Sequence, residues 1–383
     1  MHSGYETFQQ TRYFGSLDGL RCLSILAVVW HHTATPLLPA IPLLGRGYLG
    51  VELFFAISGF LITTLLLRER RQNGAISLGN FYLRRTFRIF PLYYTVLLVY
   101  VLLVWRMERG SVAGHAFFHN LPSYLTYTSN WFVDLTDGRV IFYFAWSLAA
   151  EEQFYLLWPT VERFLRGWRP VAIMIGVIAL SHAVGAGMLG RWLDAEGLLH
   201  HVIARAPLPI CLGVLLAHLL DHPQGYAASR RLVGWRGSSA IALGLLAVCL
   251  AWESMPAAGI HCLIIVLVAA CVVREDHALA WLLQWRPVAF LGTISYGMYL
   301  MHMLAYHVAT RLLPTDCLNR PLLVFAATVL VVTVAAGLSY RYYERFFLRL
   351  KDRFRADGSE EAESAGVSDP VFPATDNAAR AEG

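Results

Sequence analysis

The sequence predicts an all-α, polytopic membrane protein of about ten transmembrane helices, and three observations carry that prediction. Of 383 residues, 57% are hydrophobic and only 15% charged, where soluble domains carry roughly a quarter; mean hydropathy is +0.50. The apolar residues fall into long runs rather than alternating with polar ones. Aromatics reach 13%, with 11 Trp and 18 Tyr, the side chains that collect at bilayer interfaces.

A helix crossing the hydrocarbon core needs about 20 mostly apolar residues. Runs of that kind lie at 17–36, 50–67, 88–105, 141–162, 170–190, 200–220, 238–253, 257–273, 289–312 and 321–346. The stretch 113–135 is semi-apolar and interrupted by Asn, Pro, Ser and Asp; it reads as an eleventh span or as a loop on the far interface. Charge placement arbitrates, because short cytoplasmic loops are enriched in Lys and Arg. The arginine-rich segment 68–88 (RERRQNGAISLGNFYLRRTFR) belongs inside. If 113–135 does not cross, the basic loops at 163–169, 221–236 and 274–287 and the C-terminal RFFLRLKDRFR fall on that same side. If it crosses, all of them move outside. Ten spans with both termini cytoplasmic follow, in a multi-pass protein of the bacterial inner (plasma) membrane.

Residues 1–16 then form a polar cytoplasmic segment without the apolar stretch of a cleavable signal peptide. Residues 17–350 form one transmembrane domain. Residues 351–383, from Ala356 onwards small, acidic and Pro-containing, are expected to be a disordered cytoplasmic tail. No internal repeat is visible. The six cysteines (Cys22, Cys211, Cys249, Cys262, Cys271, Cys317) show no CxxC and no paired spacing, so they read as small hydrophobes rather than disulfides or metal ligands.

Charges inside spans are expensive and mark function. In the first span, LDGLRCLSILAVVWHHTATPLL, Arg21 sits near the cytoplasmic end and His32 follows eleven residues later, about 16 Å along the axis and close to the same helical face. A cation below an imidazole on one face suggests a pore, with the base gripping an anion and the imidazole moving protons. The plainer alternative makes Arg21 a snorkelling anchor and His32 a packing residue. His31 points some 100° away. In FYLRRTFRIFPLYY, Arg85 and Arg88 share a face at i,i+3. Such a guanidinium pair suits phosphate, although positive-inside anchoring explains the same pattern. In WSLAAEEQFYLLWP, Glu151 and Glu152 lie near the start of an apolar helix. There a carboxylate could orient an imidazole or bind hydroxyls, or simply complement the helix dipole. VELFFAISGFLITT carries Ser58 and Gly59, residues of the size that serves close helix packing. FLGTISYGMYLMHM carries Tyr299 and His302, which read as pore-lining. No HExxH and no His/Asp/Glu set at ligand spacing appears, so no metal site is expected.

In this order the segments resemble the acyltransferase-3 family of bacterial membrane O-acyltransferases. The matching pieces are LDGLR with Arg21-x10-His32, GVELFFAISGFLIT, FYLRRTFRIFPLYY, WSLAAEEQFYLLWP and FLGTISYGMYLMH, spread over nearly all of residues 17–346. The resemblance implies a helical core that takes acyl groups from cytoplasmic acyl-CoA, acetyl-CoA by default, and delivers them to a glycan hydroxyl outside. It implies His32 as the catalytic histidine, Glu151 as the functional carboxylate, and Arg85 and Arg88, with Arg21, as donor-binding groups. Ser58, Glu152, Tyr299 and His302 are then substrate-binding or structural. Acyl-CoA is a co-substrate, and no permanently bound cofactor is expected. The partners are the bilayer, acyl-CoA and a glycan acceptor, with polysaccharide-assembly proteins beside them and no nucleic acid. Longer family members append an extracytoplasmic hydrolase-like domain. This chain is expected to complete transfer within its core or through a separate protein.

Three other readings remain. A lipid or glycan transporter would also line a path with intramembrane charge, but its usual inverted repeats and paired broken spans are missing from the sequence. A structural polysaccharide-assembly subunit would use the arginines as anchors alone. Within acyl transfer, the acceptor could instead be a small secondary metabolite.

Overall fold

The computed structural model describes residues 2–11, 13–33, 45–136, 138–189, 197–252, 254–314 and 320–356; of the expected tail 351–383, residues 351–356 continue the last helix instead, and residues 357–383 and Cys317 lie outside the described residues. All regular structure among the described residues is helical. In chain order the helices are α1 His2–Gln10, α2 Gly15–Thr33, α3 Gly50–Asn73, α4 Leu78–Met107, α5 Val112–Leu125, α6 Ala145–Phe164, α7 Arg169–Gly185, α8 Leu198–Ala204, α9 Leu208–Asp221, α10 Pro223–Val233, α11 Ser238–Ala251, α12 Ala257–Val273, α13 Arg286–Thr293, α14 Ser295–Leu312, α15 Arg320–Leu338 and α16 Arg345–Ala356.

The boundaries follow local chemistry. α3 ends where Gly74 takes a left-handed φ of 72°, a conformation glycine adopts without a Cβ penalty. Ser77 and Ser111 cap α4 and α5, their hydroxyls accepting from the amides of Asn80 and Gly114 at 3.5 and 3.0 Å. Such caps occupy amides that have no intrahelical partner.

Each of the ten predicted segments overlaps at least one of these helices, and 200–220, 289–312 and 321–346 each overlap two. By length and composition, three continuous helices suffice to cross a bilayer: Gly47–Asn73, Leu78–Met107 and Arg320–Leu350. Counting four bent pairs as single spans gives up to seven. The outward faces of the longer helices are apolar, with Leu98, Leu102 and Trp105 exposed on α4 and Leu330, Val334 and Leu338 on α15. Those stripes are uncovered by the other described residues and suit a lipid environment.

Inside, helices approach closely where glycine permits. A Cβ at Gly59 would collide with the Ile210 carbonyl, and one at Gly213 with the Ala56 carbonyl, so each glycine lets the other helix's backbone in at the α3–α9 crossing. Small residues at such crossings are the usual device of membrane helices.

The segment 113–135 folds as a helical hairpin arm against α4. α5 runs back alongside α4: the Tyr93 hydroxyl donates to the Tyr124 carbonyl at 2.7 Å and that of Tyr94 to the Leu125 carbonyl at 3.0 Å. Tyr93 lies fourteen residues before the end of α4, so the chain descends about 21 Å before it turns. It returns to an ion pair between Glu108 and Arg139 at 2.9 Å, which closes the mouth of the hairpin. At the tip Tyr127 has φ 52°, uncommon for a residue with a Cβ. Its ring stacks on Tyr93 with centroids 4.3 Å apart, and the Gln153 amide donates to its carbonyl at 2.8 Å.

Gly59→Ala should therefore lower stability in detergent by about 1–3 kcal/mol through overpacking. Gly176→Ala, at a position where a Cβ meets nothing, should be neutral or stabilising by up to ~1 kcal/mol. Thermal melts of the two variants check this; equal melting temperatures would remove the close-crossing argument.

Candidate active site

A polar seam runs the length of α6. Ser147, Glu151, Tyr155, Trp158 and Glu162 recur at helical spacing on one face, spanning fifteen residues or about 22 Å. Each has a partner on a neighbouring helix. The Ser147 hydroxyl lies 2.6 Å from that of Tyr299 on α14. Ser58 and Tyr155 both donate short hydrogen bonds to Glu151 Oε1 and lie 3.2 Å apart. Trp158 Nε1 donates to Thr63 at 2.9 Å. Glu162, fully buried, takes Arg70 at 3.1 Å and His218 at 2.6 Å. Residues 58, 63 and 70 thus match 151, 158 and 162 in order, so α3 and α6 run parallel.

At one end of the seam stand two imidazoles. His32, near the end of α2, stacks on His302 of α14 with centroids 5.2 Å apart and planes at 30°. The Tyr143 hydroxyl lies 2.9 and 3.0 Å from the two ring nitrogens of His32. His31 is set edge-on at 5.0 Å and also packs against Tyr48. Tyr299, which meets Ser147, also supplies the carbonyl that His302 Nδ1 approaches at 2.5 Å.

From the middle of the seam to its far end lie the arginines, and their partners separate them into two groups. Arg68 is buried and donates to the carbonyls of Phe8 and Thr11, holding α1 against the bundle. Arg70 is paired with Glu162, Arg71 with Asp221 at 2.5 Å, and Arg84 with Glu69 at 3.3 Å. Among the described residues Arg85 and Arg88 form no ion pair of this kind. Arg85 is half-buried, its guanidinium 5.1 Å from the Tyr155 ring centroid and 5.8 Å from that of Phe81. Arg88 is exposed. Arg85 lies within electrostatic range of Glu151 and Glu152, and Arg88 within that of Glu344. Glu152 lies within electrostatic range of Glu151 and Arg85 and also of Tyr93, Tyr127 and Tyr296.

The family model described as an acyltransferase domain matches residues 14–340. The chain belongs to the acyltransferase-3 family. It is 29% identical over 366 residues to the Bacillus subtilis protein named "Putative peptidoglycan O-acetyltransferase YrhL", covering 89% of this chain and 56% of that one. To the peptidoglycan O-acetyltransferase OatA of Listeria monocytogenes it is 27% identical over 368 residues, covering 87% and 55%. The chain thus spans a little over half the length of these relatives. No solved structure shows a significant match. The chain carries the family's acyltransferase domain, with helices long and apolar enough to cross a membrane.

Within this domain the residues singled out by sequence fall into two groups. His32, His302 and Tyr299 assemble at one end of the seam. Ser58, Glu151, Glu152 and Arg85 assemble farther along it. Glu151 meets hydroxyls there, not an imidazole. Arg21 joins neither group, its guanidinium donating to Asp18 at 3.0 Å while Tyr13 donates to the same carboxylate. Among the described residues no group of three or more His, Cys, Asp or Glu is placed to hold a metal.

Several site residues went unread in the sequence. Tyr155 and Glu162 were findable, because they continue the Glu151 face at i+4 and i+11. Tyr143 lies outside helix periodicity, on the return of the hairpin, and only the tertiary fold brings it to His32. The same holds for Asn130, whose amide exchanges two hydrogen bonds with Gln153 at 3.0 and 2.8 Å and whose carbonyl accepts from Arg205 at 2.5 Å.

Gln153→Leu should leave the Tyr127 carbonyl and the Asn130 amide unpaired, at a cost of about 1–3 kcal/mol. Amide hydrogen exchange over residues 126–132 should then quicken by about tenfold or more. Unchanged protection there would show that Gln153 does not hold the tip.

Proposed function

We propose that this chain is a multi-pass enzyme of the bacterial plasma membrane that transfers an acyl group, acetyl by default, from cytoplasmic acyl-CoA to a hydroxyl of a cell-envelope glycan outside. The printed names of the relatives favour O-acetylation and make peptidoglycan the first acceptor to test. The observation that carries the reading is the seam, which leads from a pair of imidazoles at one end to Arg85 at its Tyr155 rung, where Arg85 and Arg88 form no ion pair among the described residues. CoA phosphates suit the arginines, which offer planar, charge-assisted contacts. The pantetheine arm follows the seam, and the thioester reaches the depth of His32. There His32 acts on the transfer, either by taking the hydroxyl's proton or by being acylated first. Glu151 holds Ser58 and Tyr155, and through the Tyr155 ring it sets the position of Arg85. Arg21 serves the donor mouth through its pair with Asp18, and polysaccharide-assembly proteins are the expected partners for acceptor supply.

Ten spans with the arginine end cytoplasmic fit this direction of transfer. Three helices must then cross beyond the seven counted by composition: the polar α6 and the shorter α7 and α12. Cysteines introduced at Gly74 and Gly225 should react with impermeant reagents only from the cytoplasmic side, and those at Gly45 and Gly110 only from outside. External labelling at Gly225 would sink the ten-span arrangement.

Purified protein in lipid vesicles, given labelled acetyl-CoA, tests donor binding. Arg85→Gln or Arg88→Gln should weaken CoA binding roughly ten- to a hundredfold, the loss of one charge-assisted contact worth about 1.5–3 kcal/mol. Turnover of the complex that forms should fall less. Lys should restore part of the binding, supplying charge without the fork, and added salt should deepen the defect. His32→Ala should bind CoA almost normally and stop transfer, and His31→Ala should be far milder. Normal CoA binding by both Arg variants would make the pair a topology anchor.

A further inference from the structure

The second imidazole of the site has a chemistry set by its surroundings. His302 is 1% exposed, stacked on His32 and walled by the ring of Phe144 at 5.3 Å. Its Nδ1 lies 2.5 Å from the Tyr299 carbonyl oxygen. A carbonyl only accepts, so Nδ1 carries the hydrogen, and the neutral ring has its lone pair on Nε2. That Nε2 is buried and has no hydrogen-bond partner among the described residues. Buried polar atoms are nearly always paired, so an unpartnered acceptor beside a reactive centre points to a donor that arrives with a ligand. The His32 ring is not that donor: it stacks on His302 with centroids 5.2 Å apart and makes no hydrogen bond to Nε2. His32 contrasts with this. Tyr143 stands equally far from both its nitrogens, so neither is committed to carrying the hydrogen. A base whose far nitrogen is held by a fixed acceptor is the arrangement that orients an imidazole toward a hydroxyl.

We propose that His302 Nε2 binds the acceptor's hydroxyl and takes its proton, leaving His32 to act on the acyl group. This rests on the hydroxyl transfer proposed above. In the step, the hydroxyl oxygen bonds to the acyl carbon while its hydrogen passes to Nε2. The acyl–sulfur bond breaks, and the imidazolium returns the proton to the departing thiolate, giving ester and free CoA thiol. The hydrogen bond from Nδ1 to the Tyr299 carbonyl strengthens as the ring becomes cationic. Ser147, 2.6 Å from the Tyr299 hydroxyl, helps to fix the residue that supplies that carbonyl.

The test uses the full chain in lipid vesicles with acetyl-CoA and two kinds of acceptor. Hydroxyls are offered as a soluble N-acetylglucosamine–N-acetylmuramic acid disaccharide and as water, read as ester and as acetate. Hydroxylamine, a neutral nucleophile that needs no base at pH 7, is read as acetohydroxamate. His302→Ala should lose transfer to hydroxyls by about a hundredfold or more, the usual contribution of a general base. It should keep hydroxamate formation within a few-fold, and added imidazole should restore part of the hydroxyl transfer. His302→Gln, whose amide oxygen can accept a hydrogen bond but not a proton, should lower kcat and leave the disaccharide KM almost unchanged. His32→Ala should lose both reactions. Equal loss of both reactions in His302→Ala, without imidazole rescue, would make the residue structural and overturn the proposal. So would wild-type rates to hydroxyls in the His302 variants, or a wild-type protein that acetylates hydroxylamine but no hydroxyl. A wild-type protein that acetylates neither would instead sink the acyl-transfer reading itself.

Discussion

The constraint on which the rest of this structure depends is that polar groups in an apolar, water-poor interior must find their partners within the protein. The seam of α6 brings two carboxylates, two hydroxyls and an indole into a bundle whose outward faces are leucine, valine and tryptophan. Unpaired, a single buried carboxylate would cost several kcal/mol even after relaxation. The seam meets that requirement rung by rung, and each rung recruits a different helix. Ser58, Thr63 and Arg70 fix the register of α3, His218 ties in α9, and Tyr299 ties in α14. Satisfying α6 is thereby also what assembles the site, since the residues that pair with it carry His302 and face Arg85.

The same constraint accounts for the hairpin between α4 and α6. Backbone that leaves a helix at membrane depth is tolerated only where protein or a water-filled space receives its amides and carbonyls. At the tip the carbonyls of Tyr124, Leu125, Tyr127 and Asn130 are taken by Tyr93, Tyr94, Gln153 and Arg205 respectively. Side chains from three surrounding elements replace what water would supply. The left-handed backbone of Tyr127 and of Phe142, at φ 52° and 65°, is held by this packing. Its product is the placement of Tyr143 against His32. The strain at the return corner is spent at the reactive end of the molecule.

Electrostatics at the other end works by subtraction. A run of arginines reads as one basic segment in sequence, yet four of the six between Arg68 and Arg88 are occupied by carboxylates or carbonyls in the fold. Pairing with Glu162, Asp221 and Glu69 turns Arg70, Arg71 and Arg84 into braces. Arg68 latches α1. What is left over is Arg85 and Arg88, one turn apart, with the Tyr155 ring beneath the first. An aromatic face holds a guanidinium without consuming its hydrogen-bond donors, so the pair stays competent for an anion.

Sequence alone determined the helical class, the places where helices run and the candidates that carry charge into apolar surroundings. It could do so because each signal is local: hydropathy over about 20 residues, caps within a turn, Arg85 and Arg88 at i,i+3. It also placed Glu151 and, by the same periodicity, contained Tyr155 and Glu162. Tertiary structure decided the rest. Which arginines are spent, that 113–135 turns back alongside α4, that Tyr143 meets His32 and that His302 stacks on His32 all depend on contacts between residues far apart in the chain. Arg21 illustrates the difference: helical spacing aligns it with His32, but Asp18, three residues away on the same helix, takes its guanidinium. Periodicity fixes which face a side chain occupies, and only the packed neighbours fix which of its hydrogen-bonding atoms is left for a substrate.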